Sequence, residues 1–375
     1  MTDEQWDAAR ELVMRHGWNA VSYQILNPGM SLWFSASRDA VVGYASFAGV
    51  RVVAGAPVCA PAALAGVARE LEADTKRLGE RVLYFGAGER LERLYRESPA
   101  HRLVQLGAQP VWNPQEWPAI VRRKASLRAQ LNRARNKGVR VEEWPVARAR
   151  ASAELRAVLH EWLSTRGLPP LGFMTTTDLL RRGDDRRVFV ALRGEQSSIV
   201  GFLVATPVPA RHGWLVEEWP RIPSAPNGTT HLLVDAAMRA FAESGAAYAT
   251  LGLAPLSKLG APQPSGHEPL WLRATLGWVR AHGRRFYNFR GLEAFKAGFQ
   301  PPTWDPIFAI TQGRRFTPRA LRAVAGVFSG GSPELLVLRA LASAGGQELR
   351  RLTGRVHRWT GHQEQATITN GRRPG

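Results

Sequence analysis

Two neighbouring stretches of the chain hold side chains suited to acyl transfer. In "WLVEEWPR" Glu218 precedes Arg221 by three residues, and "APNGTTHLLVDAAMRAF" opens on Asn227 and Gly228. A carboxylate can take a proton from a nucleophile or anchor an ammonium group, and a nearby cation steadies developing negative charge. A helix start beyond the turn adds unpaired N–H groups and a positive dipole end, fit for an anion or a reacting carbonyl oxygen. The same Asn-Gly pair also serves a plain turn, because it adopts left-handed backbone angles cheaply. Downstream, "APLSKLG" and "FYNFRGLEAFKAGF" add Lys258, Arg290 and Lys296, three cations able to gather on one edge of a sheet. A surface salt-bridge cluster uses the same residue types, so types alone leave both readings open.

The elements that must position these groups follow from hydrophobic periodicity. "SLWFSAS", "AVVGYASFAG" and "VRVVAGAP" read as successive strands, "APAALAGVARELEADTKRLG" as a helix and "RVLYFGAG" as a further strand. That order indicates an α/β layer domain. "GAGER" has neither a P-loop lysine nor a full dinucleotide fingerprint and is read as a turn. A second α/β run follows: "ASAELRAVLHEWLSTRG" as a helix, "RRVFVALRG" and "IVGFLVATPV" as strands, the helix after Gly228, and "AYATLGLAPL" as a strand.

Between the two runs lies "VRRKASLRAQLNRARNKGVRVEEWP". Leu127, Leu131 and Ala134 share one face of a helix, while Arg122, Arg123, Lys124, Arg128, Arg133, Arg135 and Lys137 crowd the rest until Gly138 stops it. A solvated charged face is the usual meaning of such a helix. This one lacks the acidic partners that normally accompany exposed basic residues, which favours contact with a polyanion.

Composition sets the outer bounds. At 375 residues and 45% hydrophobic content, the chain has room for about two domains with a sizeable core. Its net charge of +19 favours nucleic acid, an anionic membrane surface or phosphorylated ligands. No apolar run approaches the length of a membrane span, and the acidic start "MTDEQWDAARELV" does not resemble a secretory leader. The single cysteine, Cys59, excludes an internal disulfide, fits a reducing cytoplasm and reads as a packing residue. No metal-ligand spacing, nucleophile elbow or thiol-protease pattern is present: His357 and His362 are spaced poorly for one helix face. Beyond residue 312 the chain turns arginine-rich; "SPELLVLRALASA" there suits a short helix on the protein body or on a membrane, and the last dozen residues read as disordered.

In this order, "GAPVCAP", "KASLRAQLNRARNKGV", "EEWPRIPSAPNGTTHLLVDAAMRA", "TLGLAPLS" and "FRGLEAFKAGFQPPTW" resemble the soluble C-terminal catalytic region of bacterial phosphatidylglycerol lysyltransferases, the multiple peptide resistance factor family, and its stand-alone relatives. The resemblance spans about residues 18–312. It implies an α/β fold of two tandem GNAT-like domains, each a mixed central sheet flanked by helices. The expected layout is an N-terminal domain over 1–118, a basic connecting helix over 119–138, a catalytic domain over 139–312 and a basic, partly disordered extension over 313–375.

The resemblance also implies transfer of an aminoacyl group from charged tRNA to a hydroxyl, usually of a membrane lipid, with no metal or other cofactor. Its acidic-x-x-Arg motif falls on Glu218 and Arg221, and its Pro-Asn-Gly turn on Asn227 and Gly228. Its closing motif falls on Phe289 to Lys296 and its tRNA-binding helix on Lys124 to Lys137, with Arg128, Arg133 and Arg135 between. Glu218 is then the expected base or ammonium anchor, while Arg221 and Lys258 steady negative charge. The usually acidic position after Asn-Gly-Thr-Thr is His231 here, so either His231 handles the proton or the acceptor differs. The family's membrane-spanning half is not in this sequence, so a lipid acceptor is expected to be met from the cytoplasmic surface, peripherally; a soluble acceptor is the other option. Two other functions stay open: an acyl-CoA-dependent transferase, against which the lack of a glycine-rich pyrophosphate loop counts, and a non-catalytic RNA- or membrane-binding module.

Overall fold

The computed structural model describes residues 1–165, 173, 183–257, 259, 289–313 and 315–331. Lys258, the segment "SPELLVLRALASA" and the chain end fall outside them, as does the side chain of Arg290.

Among the described residues, one continuous mixed sheet of twelve strands organises the molecule. The N-terminal half supplies β1 (Ser31–Phe34), β2 (Val41–Phe47), β3 (Val50–Ala54), β4 (Arg81–Ala87) and β5 (His101–Trp112). The C-terminal half supplies β6 (Val139–Trp144), β7 (Arg187–Arg193), β8 (Ser198–Val208), β9 (Gly213–Glu218), β10 (Tyr248–Thr250), the short β11 (Ala254–Pro255) and β12 (Thr303–Gln312). Spatial order is β1-β2-β3-β4-β12-β5-β10-β9-β8-β7-β6, with β11 also on β5. The last strand therefore returns to fill the gap between β4 and β5, antiparallel to both. Sequence order places residues 303–312 with the C-terminal domain, whereas their hydrogen bonds complete the sheet of the N-terminal half. No local signal in "TWDPIFAITQ" announces this, because strand neighbours are chosen by long-range pairing.

Among the described residues, each half contains one parallel pair joined by a crossover helix. Helix α2 (Leu64–Arg77) joins β3 to β4, and α8 (Thr229–Glu243) joins β9 to β10. Such a connection needs a helix to carry the chain back to the start of the next strand. Helix α1 (Asp3–His16) opens with a capping box, Thr2 Oγ1 accepting from the Gln5 amide and Gln5 Oε1 accepting from the Thr2 amide. Short helices α3 (Glu89–Tyr95), α4 (Trp117–Arg123), α5 (Ala125–Arg135) and α6 (Val146–Ala151), then α7 (Ala153–Ser164), follow in order. Two more, α9 (Phe289–Ala297) and α10 (Pro318–Phe328), flank β12.

The basic stretch expected as one helix over 119–138 forms two. Lys124 adopts extended angles and separates α4 from α5. Both pieces have a reason to turn there: α4 buries Trp117, Ile120 and Val121, and α5 buries Leu127, Leu131 and Ala134, in one core with α8. The face foreseen for Leu127, Leu131 and Ala134 is thus the packed one.

The halves are stitched through polar as well as apolar contacts. Gln24 Nε2 donates to Thr206 Oγ1 at 3.2 Å, the Tyr23 hydroxyl to Asp185 at 3.0 Å, and Trp112 Nε1 to the Phe299 carbonyl at 3.2 Å. Cys59 is a buried free thiol, pushed up to about 11 by burial, in keeping with a packing role. Among the described residues no helix is long and apolar enough to cross a membrane.

Candidate active site

In open α/β sheets, ligands gather at the carboxyl ends of parallel strands. For β9 and β10, that end is formed by Glu218, by the chain leading to α8, and by the bend between β10 and β11.

The bend comes first. After Thr250 the chain leaves β10, passes through Gly252 at φ +70° and re-pairs with β5 at Ala254. The left-handed angle is cheap only for glycine, and it frees two consecutive carbonyls from sheet pairing. Both are taken by one side chain. Lys296 Nζ, from the last turn of α9, donates to Gly252 O at 2.9 Å and to Leu253 O at 2.8 Å. Lys296 is 3% exposed. Burial pushes its amine down to about 7, and the carboxylate of Glu218 acts in the opposite sense. A neutral amine whose two N–H bonds are held by carbonyls keeps one lone pair at a fixed orientation, which is the form a general base requires.

Glu218 is the half-buried last residue of β9, paired with Val204 beside a bulge in β8. Its neighbour Glu217 takes the opposite face, where burial pushes its carboxyl up while Arg186, at 3.9 Å, with Gln24 and Asn27, favours the ionised form. Strand alternation thus splits the two adjacent carboxylates between faces. Glu217 belongs to the seam between the halves, and Glu218 to the side on which its charge acts on Lys296.

Arg221 is exposed, its backbone fixed in a bridge with Gly201. Asn227 is exposed as well. Gly228 caps α8 at φ +96°, and a Cβ there would lie 2.1 Å from the Gln130 carbonyl of α5. The turn therefore does two jobs: it starts α8 and lets its N-terminus press against the basic helix. No acidic side chain occupies the first turn of α8, so the positive dipole end is left uncompensated there.

His231 follows in that first turn. Its ring packs against Phe299 at 5.1 Å and edge-on to Phe295 at 5.4 Å, and burial lowers its affinity for a proton. Trp219 lies 5.9 Å from Phe295, and Trp117 lies 6.2 Å from Phe299. His231 and Lys296 are thereby brought to the same helix pair, α8 and α9, with phenyl rings packed around the imidazole. This aromatic wall escapes sequence reading because its members come from four separate segments.

The basic helix is only partly free for a ligand. Arg128 donates to the carbonyls of Val121 and Arg122, closing the end of α4. Arg135 reaches Asp235 at 3.1 Å. Asp235 is buried in α8 and also receives Trp117 Nε1 at 2.9 Å and Arg239 at 3.1 Å. Arg133 and Lys137 are exposed, and Lys124 half-buried at the break. The clue to this hub is an acid, Asp235, placed four residues before Arg239 among the apolar positions of α8.

A family described as phosphatidylglycerol lysyltransferase, C-terminal, matches residues 10–311. Among solved structures, the C-terminal domain of a protein described as a lysylphosphatidylglycerol synthetase from Agrobacterium fabrum is 22% identical. That match covers 88% of this chain and 98% of the other, with a TM-score of 0.71. L-PGS from Bacillus licheniformis is 21% identical over 90% of this chain and 96% of its own, with a TM-score of 0.67. A conserved protein from Bacteroides thetaiotaomicron is 13% identical over 83% of this chain and 98% of its own, with a TM-score of 0.57. No curated protein sequence gives a significant match. At these identities the structures carry the fold alone, an α/β arrangement of a mixed sheet flanked by helices, the class expected from the motifs.

Proposed function

Because this chain belongs to the phosphatidylglycerol lysyltransferase C-terminal family and is a transferase, we propose that it moves an aminoacyl group from charged tRNA to a hydroxyl of a membrane lipid such as phosphatidylglycerol. The observation that supports this reading best is the pairing of buried Lys296, tethered to Gly252 and Leu253, with Glu218 at the carboxyl ends of β9 and β10.

In the proposed reaction the acceptor oxygen attacks the ester carbonyl carbon of the aminoacyl-tRNA. A C–O bond forms, and the acceptor proton passes to neutral Lys296. The resulting oxyanion is steadied by the uncompensated start of α8 at Asn227 and Gly228, and by Arg221 on the rim. Collapse breaks the bond to the tRNA ribose oxygen, which takes the proton from Lys296. Glu218 holds the donor's ammonium group and keeps Lys296 basic enough to accept the proton. His231 shapes the aromatic wall of the crevice, while Lys258 and Arg290 contribute charge toward the donor's phosphates. An aminoacyl ester is already activated, so positioning and electrostatics supply the rate.

Donor tRNA would lie along Arg133 and Lys137, with Lys124 near the helix break and Arg128 and Arg135 adding to the field while serving their own carbonyl and carboxylate partners. Phosphate contacts of this kind give affinity rather than sequence discrimination. The lipid would be met peripherally, at the cytoplasmic face of an anionic membrane.

The experiment is transfer of a labelled amino acid from charged tRNA to phosphatidylglycerol vesicles without coenzyme A. Labelled lipid should form with wild type and fall steeply with Glu218→Gln. Label that moves only when an acyl-CoA is supplied would refute the tRNA donor. Label that appears in a water-soluble product and not in lipid would refute the acceptor.

A further inference from the structure

The N-terminal half repeats the topology of the active-site half: β3 and β4 are parallel and α2 joins them, as α8 joins β9 and β10. A groove opens at this second pair of carboxyl ends. Ala56, Pro57 and Cys59 after β3 line it with Gly88 and Arg90 after β4, and Trp18 stands at its mouth. Its cavity volume is about 30 Å³, and the rest of the groove is open to solvent. Past Trp18 it continues to Arg211, Gln109 and Asp305. Its place, not its size, is what suggests a ligand: in open α/β sheets ligands gather at strand carboxyl ends.

The charge of the groove is unbalanced. The Arg90 guanidinium lies 3.5 Å from the centroid of the Trp18 ring, and Arg211 lies 4.8 Å from the same ring. Arg211 also stacks on Tyr248 at 3.8 Å and is matched by Asp305 at 3.3 Å. The adjacent acid, Glu89, is already paired with Arg93. Among the described residues Arg90 makes no ion pair, although it is half-buried. Burial and the nearby Arg211 both weaken its hold on its proton. Two guanidiniums thus converge on one indole; Asp305 is paired with Arg211 and Glu89 with Arg93, so among the described residues Arg90 is the cation of this groove without an ion pair. A half-buried cation with no ion pair is available to an anion, and the planar guanidinium fork fits phosphate oxygens.

We infer that this groove binds the phosphate of a small soluble phosphate ester through Arg90 and Arg211, with the ester's organic part against Trp18 and the apolar wall. The site is distinct from the acyl-transfer crevice. Arg211 and Tyr248 stand at the amino-terminal ends of β9 and β10, whereas Glu218 and Gly252 stand at their carboxyl-terminal ends. The inference does not rest on the proposed activity.

Calorimetric titration of the full chain tests it, with inorganic phosphate and glycerol 3-phosphate as probes. Both should bind saturably at millimolar concentrations or below, the ester more tightly. Arg90→Gln should weaken binding about tenfold or more, the scale of a lost charge-assisted pair. Arg90→Lys keeps the cation but not the fork and should lie between; it also answers the case in which Arg90→Gln fails to fold. Glu218→Gln should bind as wild type does. Equal binding by wild type and Arg90→Lys, no saturable binding of either probe, loss of binding in Glu218→Gln, or binding confined to phosphatidylglycerol vesicles would each overturn the inference.

Discussion

Lys296 Nζ lies 2.8 Å from the carbonyl oxygen of Leu253, a bond that ties α9 to the bend where β10 gives way to β11. The position of the amine is thereby set by the backbone, while its affinity for a proton is set by burial and Glu218. Geometry and titration can be tested separately.

Replacing Lys296 with Met should remove a pH dependence of stability. The folded amine titrates near 7, the unfolded one near 10.5. Between those values the unfolded chain holds a proton that the folded protein has released, so wild-type stability rises with pH by up to about 1.4 kcal/mol per unit. Below pH 7 both states are protonated and the slope vanishes. Denaturant melts across pH 6 to 10 should show the rise in wild type and not in Lys296→Met.

Catalysis should follow the same group. Transfer by wild type should increase with pH through about 7 as Lys296 loses its proton, then level off. Lys296→Met should lower turnover about 10²-fold or more and abolish that limb. Glu218→Gln should also cut turnover. It should move the surviving limb to lower pH, since the carboxylate holds the lysine up. An unmoved limb would separate Glu218 from Lys296.

For His231, packing between Phe295 and Phe299 together with a lowered proton affinity points to the neutral ring as a wall. His231→Phe should keep turnover within about tenfold of wild type, whereas a proton carrier would be expected to cost 10²-fold or more. His231→Ala should lower thermal stability by leaving a gap among the rings. Loss of activity in the Phe variant with an altered pH profile would restore His231 to proton handling.

The basic helix offers two kinds of arginine. Charge reversal at Arg133 and Lys137 should weaken tRNA binding and flatten its salt dependence, because fewer counterions are released. The melting temperature should barely change. Arg135→Ala should do the reverse in stability, since Asp235 loses one of its three partners. Filter-binding at several salt concentrations, alongside thermal melts, distinguishes them.

Gly228→Ala should destabilise by about 1–3 kcal/mol, the usual scale for a side chain forced into a left-handed angle. The added methyl would also press on the Gln130 carbonyl. Thermal melts give the first effect. Weakened tRNA binding would show that α5 had moved.

Much of this protein is legible in its sequence. Local periodicity marks β1 to β4, α2, β7, β8 and α8, because each buries one face or a continuous apolar run regardless of its neighbours. The Pro-Asn-Gly turn, the acid at the end of β9 and the one-signed helix are also written locally. What the tertiary structure decided is where those pieces meet. Neither β5 nor β12 stands out as a strand, and their pairing joins residues about two hundred positions apart, which no local signal encodes. That pairing brings α9 beside the β10–β11 bend, and only there does Lys296 become a buried amine with a lowered proton affinity. The identity of a charged residue is fixed by the chain; its proton affinity depends on the solvent it loses and the charges it meets, and both are properties of the assembled fold.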